Sequence, residues 1–196
     1  MSGQLTFDVD ACTGCLTCAV ACKHENRTPP GVAWLGIEAR EARRPDRILW
    51  LRRSCVHCPD APCAEACPSG AIRRGAGGAV EIRAEICQGC GSCAAACPRR
   101  AIALAGELDY FGAPLSAEPW LEPHQRHAPG RASKCTLCEH RTTAGLAPAC
   151  VEACSGGALR WQRAAGSSVV YLASTDARAV LGSETHSLPL PEGSSP

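Results

Sequence analysis

Cysteine is the feature that most constrains this chain, because sixteen cysteines in 196 residues fall into four groups of four. The groups are Cys12, Cys15, Cys18 and Cys22; Cys55, Cys58, Cys63 and Cys67; Cys87, Cys90, Cys93 and Cys97; and Cys135, Cys138, Cys150 and Cys154. Aromatic residues make up only 4% of the chain, so burial of large apolar side chains is limited. We therefore expect the cysteines to supply much of the stability.

Disulfides and structural zinc are two alternative uses of such groups, and both are disfavoured. Disulfides need an oxidising compartment, and the N-terminal sequence carries no secretory signal. Two cysteines separated by two residues are also poor partners in ordinary disulfide geometry. Zinc takes four ligands, usually from two separated C-x-x-C pairs, and this arrangement suits only the fourth group. A third cysteine so close behind the first pair, as in groups one and three, would crowd one small ion.

An iron–sulphur cluster suits the spacing better, because a cubane presents its irons at separate corners. In two-cluster ferredoxins the run C-x2-C-x2-C-x3-C-P wraps one cluster with three cysteines, and its last cysteine ligates the other cluster. The third group, CQGCGSCAAACP, matches this run through the proline, and the second group matches it with a two-residue expansion. The sequence therefore predicts that all sixteen cysteines are ligands of [4Fe–4S] clusters.

The residues around the cysteines predict the fold class. The fourth cysteine of each group ends a short run of small residues, AVAC, AEAC, AAAC or VEAC, which indicates a short helix. The runs LTFDV, ILWLRR and AVEIRAEI precede the cysteine loops and indicate strands. Because this strand–loop–helix unit recurs, we predict an α+β fold built from two ferredoxin-like modules with loop-rich insertions.

Charge and hydropathy narrow the classes of partner. The formal net charge of +1 and the pI near 7.5 argue against nucleic acid and against an anionic membrane surface. The apolar stretches are far shorter than the roughly 20 residues that span a bilayer, so no direct membrane span is expected.

No nucleophile–base set or phosphate-binding loop is evident, which predicts that the chain is not an enzyme by itself. His24 and His57 adjoin cysteines and could tune a cluster through a hydrogen bond, but they are interpreted first as ordinary loop residues. His124 and His127 have no matching ligand set.

The order of the four groups resembles the iron–sulphur (electron-transfer, beta) subunit of the dimethyl-sulfoxide reductase family of molybdenum oxidoreductases. The stretches ACTGCLTCAVACKHEN, CVHCPDAPCAEACPSGAI, CQGCGSCAAACP and KCTLCEH with ACVEAC carry the resemblance, over about residues 5–160. It implies four [4Fe–4S] clusters with crossed ligation. The four implied ligand sets are Cys12, Cys15 and Cys18 with Cys154; Cys135, Cys138 and Cys150 with Cys22; Cys55, Cys58 and Cys63 with Cys97; and Cys87, Cys90 and Cys93 with Cys67.

The resemblance also implies a division of the chain. Groups one and four would form an outer module, groups two and three an inner module, followed by an insertion and a tail. The expected bounds are 1–48 with 132–175, 49–110, 111–131 and 176–196. The only two lysines, Lys23 and Lys134, each adjoin a cysteine, and crossed ligation would place both beside one cluster, where positive charge stabilises the reduced form.

The function implied by the resemblance is electron transport in anaerobic respiration. The chain would relay electrons between a molybdopterin-containing catalytic subunit and an integral membrane anchor linked to quinone. The alternatives are a free-standing polyferredoxin, an electron-transfer subunit of a hydrogenase or formate dehydrogenase, or a zinc-scaffolded binding module. We expect a cytoplasmic or membrane-associated protein, or one exported while bound to a signal-bearing catalytic subunit. Each cluster adds about −2, so the loaded protein would carry about −7 and favour a basic partner surface.

Overall fold

The computed structural model describes residues 2–41, 48–104, 123–125, 127–174 and 177. Within them lie nine strands, β1 (Gly3–Asp8), β2 (Leu35–Glu41), β3 (Ile48–Ser54), β4 (Ile72–Arg74), β5 (Val80–Ile82), β6 (Ala103–Leu104), β7 (Ala132–Ser133), β8 (Leu159–Arg163) and β9 (Ser168–Leu172). Five helices accompany them, α1 (Thr17–Asn26), α2 (Pro62–Glu65), α3 (Ser92–Ala96), α4 (Glu139–Thr143) and α5 (Ala149–Glu152), with a 3₁₀ turn at Pro123–Gln125. Most of the predicted insertion and nearly all of the predicted tail lie outside the described residues.

The short helices and the strands around the cysteine loops were predicted correctly, and the residue after the fourth cysteine explains where three of the helices end. A proline follows Cys67 and Cys97, and the residue before a proline is disfavoured in a helix, so α2 and α3 end before these cysteines. Lysine follows Cys22, so α1 continues to Asn26. The result is a mixed fold of helices and strands in which small helices follow the cysteine loops.

A three-stranded sheet joins the two ends of the described chain. β1 lies in its centre, antiparallel to β8 and parallel to β9, with Leu5 opposite Trp161 on one side and Val169 on the other. Leu5 and Phe7 point inward and are almost fully buried, as the alternation in LTF predicts. This pairing brings the first cysteine loop next to the end of the fourth group, which lies more than 130 residues later.

Two buried clusters form the core, and cysteines belong to both. The first combines β1, β2, β3, β8 and β9 with four buried cysteines, Cys18, Cys22, Cys135 and Cys150. The second is smaller and combines Ala71, Ile72, Val80, Ile102 and Ala132 with three buried cysteines, Cys63, Cys87 and Cys93. Leu49 and Leu51 of β3 lie in the first cluster. The domain bounds expected from the sequence stay a prediction.

Three two-stranded antiparallel ribbons complete the described fold, β2 with β3, β4 with β5, and β6 with β7. Among the residues that the structure describes, no helix combines the length and the apolar character needed to cross a lipid bilayer.

Candidate metal centres

Four cavities are each lined by four cysteines. Site 1 is lined by Cys12, Cys15, Cys18 and Cys154. Site 2 is lined by Cys22, Cys135, Cys138 and Cys150. Site 3 is lined by Cys55, Cys58, Cys63 and Cys97, and site 4 by Cys67, Cys87, Cys90 and Cys93. Each site therefore takes three cysteines from one group and one from another, and together the sites use all sixteen.

Helix geometry explains why the last cysteine of a group lines a different site. Cys18 and Cys22 are four residues apart on α1, so they lie one turn apart on the same face. Cys18 lines site 1, and Cys22 lines site 2. The same four-residue spacing recurs in three further pairs at helices α2, α3 and α5: Cys63 and Cys67, Cys93 and Cys97, and Cys150 and Cys154. Each of these helices therefore separates two sites and contributes to both.

Left-handed backbone conformations curl the loop of each site around its cavity. In the first group Gly14 has φ 72° and Leu16 has φ 62°. In the third group Gly89 and Gly91 occupy the corresponding positions, with φ of 69° and 79°. Since few residues other than glycine adopt this region readily, these loops depend on their sequence as well as on their cysteines.

Gly89 gives a prediction for site 4. A methyl group at Gly89 would overlap the backbone oxygen of Gly130, whereas one at Gly91 would meet open space. We expect Gly91→Ala to cost about 1–2 kcal/mol for its left-handed conformation. Gly89→Ala should cost about 1–3 kcal/mol more, because the loop must shift, and should lower the iron content. Chemical denaturation and iron analysis of both variants check this, and equal unfolding free energies would contradict it.

Several of the sulphur atoms accept hydrogen bonds within the protein. Four backbone N–H groups donate to thiols at 3.4 Å: His57 to Cys55, Leu137 to Cys135, Ala101 to Cys97 and Leu159 to Cys154. At sites 1 and 4 side-chain hydroxyls also contact sulphur. The Thr17 hydroxyl donates to Cys15 and lowers its thiol pKa, and the Ser92 hydroxyl lies 3.4 Å from the Cys90 sulphur and lowers the pKa of that thiol. Donors of this kind favour sulphur in its negatively charged, metal-bound form.

Burial has the opposite effect on the interior thiols. It raises the thiol pKa of Cys18 and Cys138 to about 11 and that of Cys150 to about 12. The pKa of Cys22 also rises, through burial and through the neighbouring thiols of site 2. Thiols this hard to ionise need a strongly positive partner to become ligands, and metal binding supplies one while releasing the protons. Four converging sulphurs around one cavity therefore fit a metal cluster.

Two buried side chains that carry nitrogen donors also fit a bound metal cluster. His57 lines site 3, and its Nδ1 accepts the Val80 N–H at 2.9 Å, while its Nε2 has no hydrogen-bond partner among the described residues. Arg52 lines site 2, and none of its guanidinium nitrogens has a partner there. Buried donors of this kind need an acceptor, which a sulphide-bearing cluster supplies. Sequence reasoning missed Arg52 and treated His57 as an ordinary loop residue.

The two lysines occupy different environments. Lys23 donates to backbone carbonyls of the loop at 28–32 and so holds the chain after α1. Lys134 is buried, and its positive charge opposes the rise in the thiol pKa of Cys55 and Cys63. The structure therefore places the Lys134 charge beside site 3, whereas the sequence interpretation placed both lysines beside site 2.

Among the described residues, one group of metal-binding residue types lies outside the four sites. The ligand atoms of Glu25, His124 and His140 lie within 4.8 Å of one another. The rings of His124 and His140 are stacked 3.6 Å apart and nearly parallel, so their lone pairs do not converge on one point. Arg141 also pairs with Glu25, at 3.2 Å, and its charge opposes a second cation. This group is therefore an ion-pair network around a stacked histidine pair.

Comparison with known families identifies an iron–sulphur domain in the chain. The 4Fe-4S dicluster domain matches the chain twice, at residues 47–112 and 107–164. Two dicluster domains correspond to four [4Fe–4S] clusters, as predicted from the cysteine count.

Curated relatives are similar over most of the chain. A tetrathionate reductase subunit of Salmonella typhimurium is 34% identical over 158 residues, which are 79% of this chain and 55% of that protein. Thiosulfate reductase electron transfer subunit PhsB of Salmonella typhi is 34% identical over 81% of this chain and 74% of its own length. The arsenate respiratory reductase iron-sulfur subunit ArrB of Shewanella sp. is 31% identical over 76% of both chains.

The share of each relative that is matched differs. The chain spans about three quarters of the thiosulfate and arsenate reductase subunits, and little more than half of the one from tetrathionate reductase. All three relatives are named as subunits of reductases, two of them for electron transfer or for iron and sulphur. These similarities and the repeated dicluster match show that the chain belongs to the 4Fe-4S dicluster family, among the iron–sulphur subunits of dimethyl-sulfoxide reductase-type molybdenum oxidoreductases.

Proposed function

We propose that each of the four sites holds one [4Fe–4S] cluster through the four cysteines that line it, and that the chain is a non-catalytic electron-transfer subunit. The partition of all sixteen cysteines into four cavities of four is the observation that carries this proposal. A bound [4Fe–4S] cluster supplies reversible one-electron chemistry. The protein supplies the thiol ligands, the hydrogen bonds to sulphur and the exclusion of water.

The helices support two ferredoxin-like modules. α1 and α5 pack together and carry cysteines of sites 1 and 2. α2 and α3 pack together and carry cysteines of sites 3 and 4. Each module therefore has two sites related by a pair of helices that exchange their last cysteines, which is the two-cluster ferredoxin arrangement.

Interactions between thiols support a linear order of the sites, from 1 to 4. Site 1 adjoins site 2, because the charge of Cys18 acts on Cys150. Site 2 adjoins site 3, because the charge of Cys135 raises the thiol pKa of Cys55. Sites 3 and 4 adjoin through α2 and α3. A chain of 196 residues has a radius of gyration of about 16 Å, so successive sites are close neighbours.

The two ends of this order are the exposed ones. Cys15 of site 1 and Cys90 of site 4 are exposed, whereas all four thiols of site 2 are buried. Apolar side chains stand exposed beside both ends, Leu16 and Val20 beside site 1 and Ile86 beside site 4. We propose that one end docks on a molybdopterin-containing catalytic subunit and the other on a membrane anchor that exchanges electrons with quinone.

The test of this function is the metal content of the protein purified without oxygen from its native host. About 16 iron atoms per chain with stoichiometric molybdenum are expected. The same iron without molybdenum would contradict the molybdopterin partner and favour a free-standing polyferredoxin or a different oxidoreductase. Zinc without iron would contradict the cluster assignment itself.

Variants at the two exposed ends test the docking faces separately. We expect Val20→Glu and Ile86→Glu each to abolish one association. One variant should lose the molybdenum that co-purifies with the chain, and the other should no longer be recovered in the membrane fraction. Both should keep the full iron content, because neither side chain lines a site. Leu146→Glu is the matched control, since Leu146 is similarly exposed at 51% but lies beside neither exposed thiol. Retention of both associations in both test variants would contradict the two docking faces.

A further inference from the structure

Arg52 is buried in an environment where a positive charge is energetically unfavourable. It is the largest fully buried side chain in the described part of the protein, with no exposed surface. It lies on β3, opposite Ile37 of β2, and its backbone carbonyl accepts a hydrogen bond of 2.7 Å from the Tyr171 hydroxyl. The strand is therefore held firmly, while Nε, Nη1 and Nη2 find no acceptor among the described residues.

The groups around the guanidinium are thiols and the Tyr171 hydroxyl, whose proton is donated to the Arg52 carbonyl. Among the described residues no carboxylate forms an ion pair with Arg52. Its charge opposes the rise in thiol pKa of Cys18 in site 1 and of Cys22 and Cys150 in site 2. The guanidinium stays charged inside the protein, because arginine is not deprotonated at physiological pH.

A charged side chain with five buried N–H donors and no counter-charge would destabilise any fold. Sulphur atoms of a bound cluster and of its thiolate ligands are both the acceptors and the negative charge that this environment lacks. Positive charge and hydrogen bonds directed at a cluster favour the reduced form, because reduction adds negative charge.

We propose that Arg52 is a positioning and charge-compensating residue shared by sites 1 and 2, whose N–H groups hydrogen-bond to sulphur in site 2 and raise the reduction potentials of both clusters. The inference rests on the proposed cluster assignment. The effect is largest at site 2, whose cavity Arg52 lines, and smaller at site 1, where its charge acts on Cys18. Site 4 is the internal reference, because the charge of Arg52 is not among the causes that shift the thiol pKa of Cys67, Cys90 and Cys93.

The test is a redox titration of the full chain, followed by electron paramagnetic resonance. In Arg52→Gln the reduction equilibrium of one cluster should fall at least about tenfold, which is 59 mV for a one-electron couple, with a smaller fall for a second cluster. At least one cluster should not change. Arg52→Lys keeps the charge but loses the planar fork of donors, so its potentials should lie between those of wild type and Arg52→Gln.

Arg53→Gln is the matched control on the same strand. Arg53 is partly exposed and pairs with Glu38 at 3.0 Å, so its replacement should leave all four potentials unchanged. Four unchanged potentials in Arg52→Gln, at full iron content, would overturn the inference. If Arg52→Gln does not accumulate, Arg52→Lys takes its place, and unchanged potentials there would overturn the inference equally.

A direct readout uses protein labelled with ¹⁵N-arginine and pulsed electron paramagnetic resonance. Because Arg99 lines site 3, the readout applies to the cluster whose potential falls in Arg52→Gln. In wild type that cluster should show ¹⁵N modulation, which should persist in Arg53→Gln and disappear in either Arg52 variant. Absence of modulation in wild type, or its survival in the Arg52 variants, would overturn the inference. Iron analysis of the same samples distinguishes failure of the cluster assignment from failure of the role of Arg52. Iron-free wild-type protein would refute the cluster assignment. Protein that contains its iron but shows none of these effects would refute only the role of Arg52.

Discussion

Removing the iron from the purified protein with a chelator, without oxygen, is expected to abolish its cooperative unfolding transition. Eight cysteines are buried and seven of them belong to the two core clusters, so the cavities between them are part of the core. The sheets have only two or three strands, and four of the five described helices have four or five residues. Elements of this size are marginal without strong tertiary support.

The size of this effect comes from linkage between metal binding and folding. A site that does not exist in the unfolded chain contributes its binding free energy to folding. Since a domain is typically stable by only about 5–15 kcal/mol, four such contributions exceed the whole margin. We therefore expect the iron-free chain to be unfolded at 25 °C. Tryptophan fluorescence and circular dichroism under denaturant check this, and reconstitution with iron and sulphide should restore the transition. An unchanged transition in iron-free protein would contradict the expectation.

Replacing Cys22 is expected to damage the cluster of site 2, although Cys22 belongs to the first cysteine group. In the structure Cys22 lines the cavity of Cys135, Cys138 and Cys150, and its exposed fraction is 6%. Cys22→Ala should lower the iron content from about 16 to about 12 atoms per chain. It should also destabilise the chain strongly. Site 2 then lacks one of its four ligands, and the buried core around Cys22 has a cavity where the sulphur was.

Redox titrations show which cluster is lost. Cys22→Ala and Cys138→Ala should remove the same midpoint potential, because both residues line site 2. Cys15→Ala should remove a different one, because Cys15 lines site 1. Identical losses in Cys22→Ala and Cys15→Ala would show that each group of four cysteines holds its own cluster, and would contradict the crossed arrangement.

Local sequence patterns predicted more of the fold than of the charge arrangement. LTFDV and ILWLRR became β1 and β3, and the alanine-rich runs became short helices, because alternation, small residues and prolines act over a few residues. Which of two adjacent arginines is buried could not be predicted in the same way. Arg52 has no exposed surface, whereas Arg53 reaches Glu38 at the edge, and the difference depends on what packs over β3.

The sequence by itself determined the number of ligands, their spacing and the conformation of the loops that carry them. These properties are local, since a C-x-x-C-x-x-C loop needs only its own glycines and its following helix. Only the tertiary structure decided which thiols share a cavity, which sites are exposed and which charge lies between them. β1 must pair with β8 and β9 across more than 150 residues before Cys154 can reach site 1, and the side chains from β3 are buried only when that sheet closes over them. Such contacts depend on chain segments that are distant in sequence, so no short pattern encodes them.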